Sequence, residues 1–266
     1  MLKVGIVGCG TIGAELARAI QARFRKNARL IYLCDTNLRT ARKLKRNLKF
    51  PCRIVSLTEL VKKSDLIIEA ASQKAAFQII PPAIQFHKKV LVMSVGALLH
   101  IPNVLTKIKK GVLYVPSGAI AGIDALLASR LGKIKQVTIT THKPLRSLKD
   151  VSYFQKSKWA KRSIRKPVTI FEGNALQATK LFPQNINVAA TLSLAGIGPR
   201  KTKVRMITSP TYHQNSHEVE FEGSFGRVKT ITRNNPSRQN PKTSALAIYS
   251  AIACLEKIFS PVKIGT

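Results

Sequence analysis

Acidic residues are what this sequence has least of. Twelve Asp and Glu stand against 45 Lys and Arg in 266 residues, a formal net charge of +33. The deficit is general: residues 1–118 carry 21 basic and 5 acidic side chains, residues 119–266 carry 24 and 7. Charge spread this evenly is a property of the whole surface rather than a docking arm. It attracts polyanions such as nucleic acid non-specifically and steers anionic small molecules inward. Aromatic residues make up only 6% of the chain, and no basic stripe is interleaved with them, so a dedicated nucleic-acid reader is not indicated. The four cysteines, Cys9, Cys34, Cys52 and Cys254, show no C-x-x-C spacing, which leaves reduced thiols in a cytoplasmic protein as the expectation. No apolar run is long enough to span a membrane; the longest, around Val90 to Leu99, is about half of what is needed. The chain starts at once with a strand pattern, so no signal or transit segment is expected.

What is present begins at residue 3. Lys3-Val4-Gly5-Ile6-Val7 is an apolar run that ends in Gly8-Cys9-Gly10-Thr11-Ile12-Gly13, and Ala14 to Phe24 follows with helical spacing at Leu16, Ala17, Ile20 and Phe24. Strand, glycine turn and helix in that order form a dinucleotide-binding fingerprint. Gly8 allows the tight turn, Gly10 lets a pyrophosphate approach the backbone, and Gly13 lets helix and strand pack closely. A second strand, Leu30 to Cys34, ends in Asp35, about 20 residues on, where a carboxylate accepts from the ribose 2′-OH of NAD and repels the 2′-phosphate of NADP. Arg39 and Arg42 nearby would tolerate that phosphate, so NAD is preferred and NADP is possible. A glycine turn that binds nothing is the plainer alternative.

The rest of the first half alternates strand and helix. Leu38 to Leu48 reads as a basic helix, Ser56 with Glu59 as a capping box, and Ser64 to Ala71 as a buried strand. Helix Gln73 to Phe86, strand Lys89 to Met93, helix Ile101 to Lys109 and strand Val112 to Val115 follow. This predicts an α/β fold, a doubly wound parallel Rossmann sheet, with ligands at the strands' carboxyl ends: the glycine turn, Asp35, Ala71-Ser72, Ser94 to Ala97 and Ser117-Gly118. A helix from Ile123 to Arg130 would aim a small-residue N-terminus at an anionic substrate group. Val137 to Thr141 is β-branched and alternating, ended by His142-Lys143-Pro144, and it opens a second α/β domain with a mostly antiparallel sheet. Arg146 to Lys166 reads as a mobile surface loop, and Val168 to Glu172 as a strand. Gly173 to Leu181 and Asn185 to Gly196 read as helices. Lys203 to Thr208, Ser216 to Glu222 and Arg227 to Thr232 are strands, and a final helix runs from Asn240 to about Ile258. The expected domains are 1–118, binding NAD(P); 119–239, carrying substrate, catalysis and oligomerisation; and 240–266, a C-terminal helix returning to the first. Because carboxylates are scarce, Asp124 and Glu172 are also candidates, with a helix cap or a local ion pair as the alternative. His213 and His217 have no third partner, so no metal site is expected.

Several blocks together closely resemble the L-aspartate dehydrogenase family. They are the glycine motif, Glu69-Ala70-Ala71-Ser72-Gln73, Met93 to Ala97, Pro116-Ser117-Gly118-Ala119-Ile120-Ala121-Gly122-Ile123-Asp124-Ala125, Phe171-Glu172-Gly173, Phe182 to Thr191, and Asn240 to Ser244. The resemblance spans nearly the whole chain. It implies NAD(P)-dependent oxidation of L-aspartate to iminosuccinate, which enters NAD biosynthesis or hydrolyses to oxaloacetate and ammonia, in a homodimer or higher homo-oligomer. It also implies His217 as the active-site histidine, Lys143 as a further catalytic candidate, and Ala119 and Asn187 as cofactor contacts. Thr11, Ile12, Ala71 and Ser72 join them on the nucleotide side, and Ser117, Gly118, Asn187 and Thr191 on the substrate side. Two departures stand out: the family usually has arginine where this chain has His142, and the stretch from Arg146 to Lys166 is longer than usual. Two other functions remain open on sequence grounds. One is a dihydrodipicolinate reductase-like enzyme, whose histidine-rich substrate motif is absent here. The other is a non-catalytic NAD-dependent regulator that binds polyanions.

Overall fold

A computed structural model describes residues 1–108, 112–160, 162–182, 186–241 and 243–265. The chain forms two compact units, one made of Met1–Pro116 with Ile248–Lys263, the other built on Ser117–Ala247.

In the first unit the elements run β1 Leu2–Val7, α1 Thr11–Arg23, β2 Ala28–Cys34, α2 Leu38–Arg46, β3 Arg53–Ile54, α3 Leu57–Lys63, β4 Leu66–Glu69, α4 Gln73–Gln85, β5 Lys89–Val92, α5 Val104–Lys107 and β6 Leu113–Tyr114. The strands form one sheet in the order β3-β2-β1-β4-β5-β6, all parallel. That is the doubly wound Rossmann order, in which the chain reverses direction between β1 and β4. Leu66, Ile67 and Ile68 are buried on both faces of β4, as a strand covered by helices on each side requires. One core packs Val4, Ile6, Leu16, Ile20, Leu33 and Ile68 against Ala251 and Leu255.

The second unit runs α6 Ile123–Ser129, β7 Ile134–Pro144, α7 Ser152–Lys156, β8 Val168–Asn174, α8 Ala175–Leu181, α9 Asn187–Ala195, β9 Lys203–Ser209, β10 Asn215–Gly223 and β11 Gly226–Asn234; α10 Ala245–Phe259 then returns to the first unit from Ile248. The sheet order is β11-β10-β7-β9-β8. Three pairings are antiparallel and β7–β9 is parallel, so the sheet is mixed. Helices α8 and α9 pack on its inner face. On the outer face carboxylates meet cations: Glu172 with Arg205 at 3.0 Å, Glu218 with Lys229 at 2.9 Å and Glu220 with Arg227 at 2.5 Å. Glu172 is thus in a surface ion pair, and Asp124 lies in the first turn of α6.

Several local expectations are corrected. The strand does not stop at Thr141: His142-Lys143-Pro144 form the last three residues of β7 and pair with β9 as far as Ser209. The 146–166 stretch is not a free loop. Leu148, Phe154 and Ile164 are buried, and Tyr153 packs edge-on against Phe171 and Phe182 at 6.1 and 5.0 Å between centroids. Apolar residues spaced among the basic ones anchor the excursion. Ser56 Oγ does accept from the Glu59 amide, but the Glu59 carboxylate turns to Lys63; a reciprocal capping box forms instead between Asn174 and Gln177. The last helix starts at Ala245, because Ser244 bridges to Pro236 and bonds Asn234 instead. The expected helix opening at Asn185, and Lys109, Lys161 and Lys242, lie outside the described residues.

Phe154→Ala removes the buried anchor of the excursion. It is expected to lower stability by about 3 kcal/mol in urea unfolding and to speed limited proteolysis between residues 146 and 166.

Candidate active site

The carboxyl edge of the first sheet is built around the glycine turn. Gly8 has φ +94°, a conformation that glycine adopts without steric cost, and a side chain there would meet the Ala70 carbonyl at 2.5 Å. A side chain on Gly13 would run into the Gly8 carbonyl. Gly10 is different, since a Cβ there meets nothing within 4 Å. Gly10 caps α1 without a side-chain hydrogen bond, and no acidic residue lies in the helix's first turn, which starts Thr11-Ile12-Gly13. Open space beside a bare backbone at a helix N-terminus fits a pyrophosphate.

Asp35 is fixed beside this turn. One carboxylate oxygen accepts from the Cys9 amide at 2.7 Å and the other from the Asn37 amide at 2.7 Å. Asn37 in turn caps α2. Along that helix Arg39, Arg42, Lys45 and Arg46 line, with Ile54, a groove of about 730 Å³. Across β1, Ala71 and Ser72 donate their amides to Glu69 at 2.9 and 3.0 Å, and Ser72 Oγ caps α4. The turn, Asp35, Ala71 and Ser72 therefore share one edge of one sheet.

In the second unit, side-chain alternation along β7 and β10 sorts the candidates. Thr141 and Lys143 face inward and are buried, as is His217 on β10. Thr141 Oγ1 lies 3.0 Å from His217 Nδ1, and His217 Nε2 has no hydrogen bond to the described residues. His142 points the other way and meets Tyr212. It does not share a face with Lys143 and His217. The loop before α6 is tied to the same end of the sheet: the Ala119 carbonyl accepts from Thr232 Oγ1 and Asn234 Nδ2, both at 3.0 Å, and Thr232 sits opposite His217. Gly118 approaches Val188, the neighbour of Asn187 at the start of α9, one turn before buried Thr191. Ser117, Gly118, Ala119, Lys143, Asn187, Thr191 and His217 thus belong to one neighbourhood.

Burial sets the electrostatics of this neighbourhood. The Lys143 ammonium is pushed down to about 8 by desolvation. His217 is pushed down to about 3, first by burial, then by Lys143 and His142. At neutral pH the imidazole is uncharged and the lysine is within reach of losing its proton. The sequence singled out Lys143 and His217 but not Thr141, Thr232 or Asn234. The available signal was period-two spacing, which puts Thr141 on the face of Lys143. Among the described residues no group of three or more His, Cys, Asp or Glu could hold a metal ion.

A Rossmann edge open at Gly10, with a buried lysine and histidine side by side in a second α/β unit, defines a pyridine-nucleotide-dependent oxidoreductase. Residues 8–110 match the family described as homoserine dehydrogenase, NAD binding domain, and residues 124–258 match aspartate dehydrogenase, C-terminal. The L-aspartate dehydrogenase of Methanosarcina barkeri is 44% identical over the full length of both chains, and that of Methanocella arvoryzae is 42% identical, again over both full lengths. The crystal structure of aspartate dehydrogenase from Thermotoga maritima superimposes with a TM-score of 0.77 at 24% identity, covering 100% of each chain, and so shares the fold. The chain belongs to the L-aspartate dehydrogenase family.

The depressed histidine makes a stability prediction with a definite sign. The unfolded chain takes up the His217 proton near pH 6.5 and the folded chain only near 3, so stability falls as pH drops through that window and is unaffected by this group above it. The full loss amounts to about 5 kcal/mol. His217→Asn is expected to lose less stability than the parent between pH 6.5 and 4 in denaturant melts; parallel curves would contradict the buried neutral imidazole.

Proposed function

We propose that this chain oxidises L-aspartate to iminosuccinate, preferring NAD and accepting NADP. Family membership supports the substrate. The observation that carries the chemistry is the buried pair Lys143 and His217, one lowered to about 8 and the other to about 3. Oxidation at an amino-acid Cα needs a neutral amine, cations for the two carboxylates and a hydride acceptor. The nicotinamide ring, when bound, accepts the hydride. Gly8, Gly10, Thr11, Ile12 and Gly13 hold the pyrophosphate, Asp35 the adenosine ribose, and Ala71, Ser72, Ala119 and Asn187 the remaining nucleotide.

Lys143 is the group that exchanges a proton near neutral pH, and we assign it the substrate amine's proton. Charged, it also attracts a carboxylate. His217 keeps Nδ1 on Thr141 and offers Nε2 to the substrate as anchor or proton relay. Ser117, Gly118, Asn187 and Thr191 complete the substrate side. Asp35 favours NAD, while the cations of α2 soften the penalty for a 2′-phosphate. The four free thiols suit a reducing cytoplasm. A homodimer or higher homo-oligomer is implied by the family resemblance.

With NAD and L-aspartate, nucleotide reduction followed by near-ultraviolet absorbance is expected to depend on aspartate. His217→Ala and Lys143→Met should lower kcat/KM by roughly 10²–10⁴-fold. No turnover with aspartate, nor in reverse with oxaloacetate and ammonia, would sink the substrate assignment. NAD is expected to exceed NADP in kcat/KM by about tenfold, the scale of one charge contact; equal values would overturn the Asp35 assignment.

A further inference from the structure

Glu69 ends β4, and its side chain is 0% exposed. It is one of only 12 acids in a chain of net charge +33, yet it has no cationic partner among the described residues. Its four partners are neutral donors. Oε1 accepts from the amides of Ala71 and Ser72 at 2.9 and 3.0 Å and from Ser94 Oγ at 2.9 Å, and Oε2 accepts from the Ser94 amide at 2.8 Å. Ala71 and Ser72 belong to the loop after β4 and Ser94 to the loop after β5, neighbouring strands on the side of the switch point away from Asp35. A dinucleotide that places its adenosine ribose at Asp35 and its pyrophosphate at Gly10 extends its other half along these loops. Burial pushes the Glu69 carboxyl up, and the four donors offset that push only in part. Three of the four contacts are backbone amides, which only donate, and the fourth is a hydroxyl; the ionised carboxylate satisfies all four as they stand, whereas a protonated one would have to reverse the Ser94 Oγ bond.

We propose that Glu69 is a positioning residue for the nicotinamide half of the cofactor, clamping the β4 and β5 loops together and lending them a buried negative charge that favours the oxidised nucleotide. The proposal rests on the nucleotide reading above. The charge part follows from the cofactor's chemistry. The oxidised ring is cationic and the reduced ring neutral, so a fixed carboxylate in a water-poor site attracts only the first. A neutral clamp of the same shape would hold both forms equally.

Glu69→Gln removes the charge and turns one acceptor into a donor facing the Ser94 amide. In titrations of the full chain, NADH followed by its fluorescence and NAD by calorimetry, the affinity for NAD is expected to fall at least about tenfold and that for NADH about fivefold less than that. In the ligand-free protein, hydrogen exchange at the Ala71, Ser72 and Ser94 amides is expected to accelerate, while that at Ile67 and Ile68 stays unchanged. Equal losses for the two nucleotides, or none, would overturn the proposal. If Glu69→Gln does not fold, Ser94→Ala decides. It keeps the charge and loses one donor, so it should weaken both nucleotides by a similar factor of about three; unchanged affinity overturns the clamp. Failure of the parent protein to bind either nucleotide would instead refute the nucleotide reading itself.

Discussion

The nucleotide edge of the first unit depends on how closely two stretches of backbone approach each other. Gly8 turns with positive φ against the Ala70 carbonyl, and Gly13 lies against the Gly8 carbonyl with no room for a Cβ. Given that proximity, α1 starts where its free amides point past Gly10 into open space. Asp35 then ties the turn to β2 through Cys9, and Glu69 ties the far side to the loops after β4 and β5. Two carboxylates therefore order this edge, Asp35 at the turn and Glu69 at the loops beyond it, each spent on neutral donors rather than on any of the many cations.

The second unit solves a different problem, which is to bury a histidine in its uncharged form beside a lysine brought within reach of losing its proton. Desolvation does this at the expense of their proton affinity. Strand alternation puts Lys143, Thr141 and His217 inward, and it sends His142 outward with the glutamates that pair with Arg and Lys. On one face of the sheet burial lowers the proton affinity of basic groups, and on the other ion pairs offset them. Such exposed pairs contribute little individually to stability; here they offset local repulsion in a chain of net charge +33.

The parallel sheet was legible because its signals are local. Each strand is a short apolar run that ends in a glycine, a carboxylate or a serine. The glycine spacing encodes the turn, and Asp35 ends a strand at a spacing that means something. The family blocks brought in Lys143 and His217, which charge and spacing alone would have left among ordinary surface residues. What could not be read were properties that depend on partners distant in sequence. Thr141 matters through His217, and Thr232 and Asn234 through Ala119. The anchoring of the 146–166 excursion depends on Phe171 and Phe182, and Lys203 to Ser209 pairs parallel to β7 rather than antiparallel. Burial too was invisible: the two pKa displacements arise from packing, not from residue type.

The chain leaves the first unit after Pro116 and rejoins it at Ile248. Ala251 and Leu255, part of the core that holds β1, β2 and α1, are therefore made only after the whole intervening unit. At about 5–20 residues per second of synthesis, the nucleotide-binding half waits about 7 to 27 seconds with an apolar groove open in its own core while the intervening unit emerges. The nucleotide-binding half is begun before the intervening unit and completed after it, and a ribosome that stops within that unit leaves the half without its closing helix.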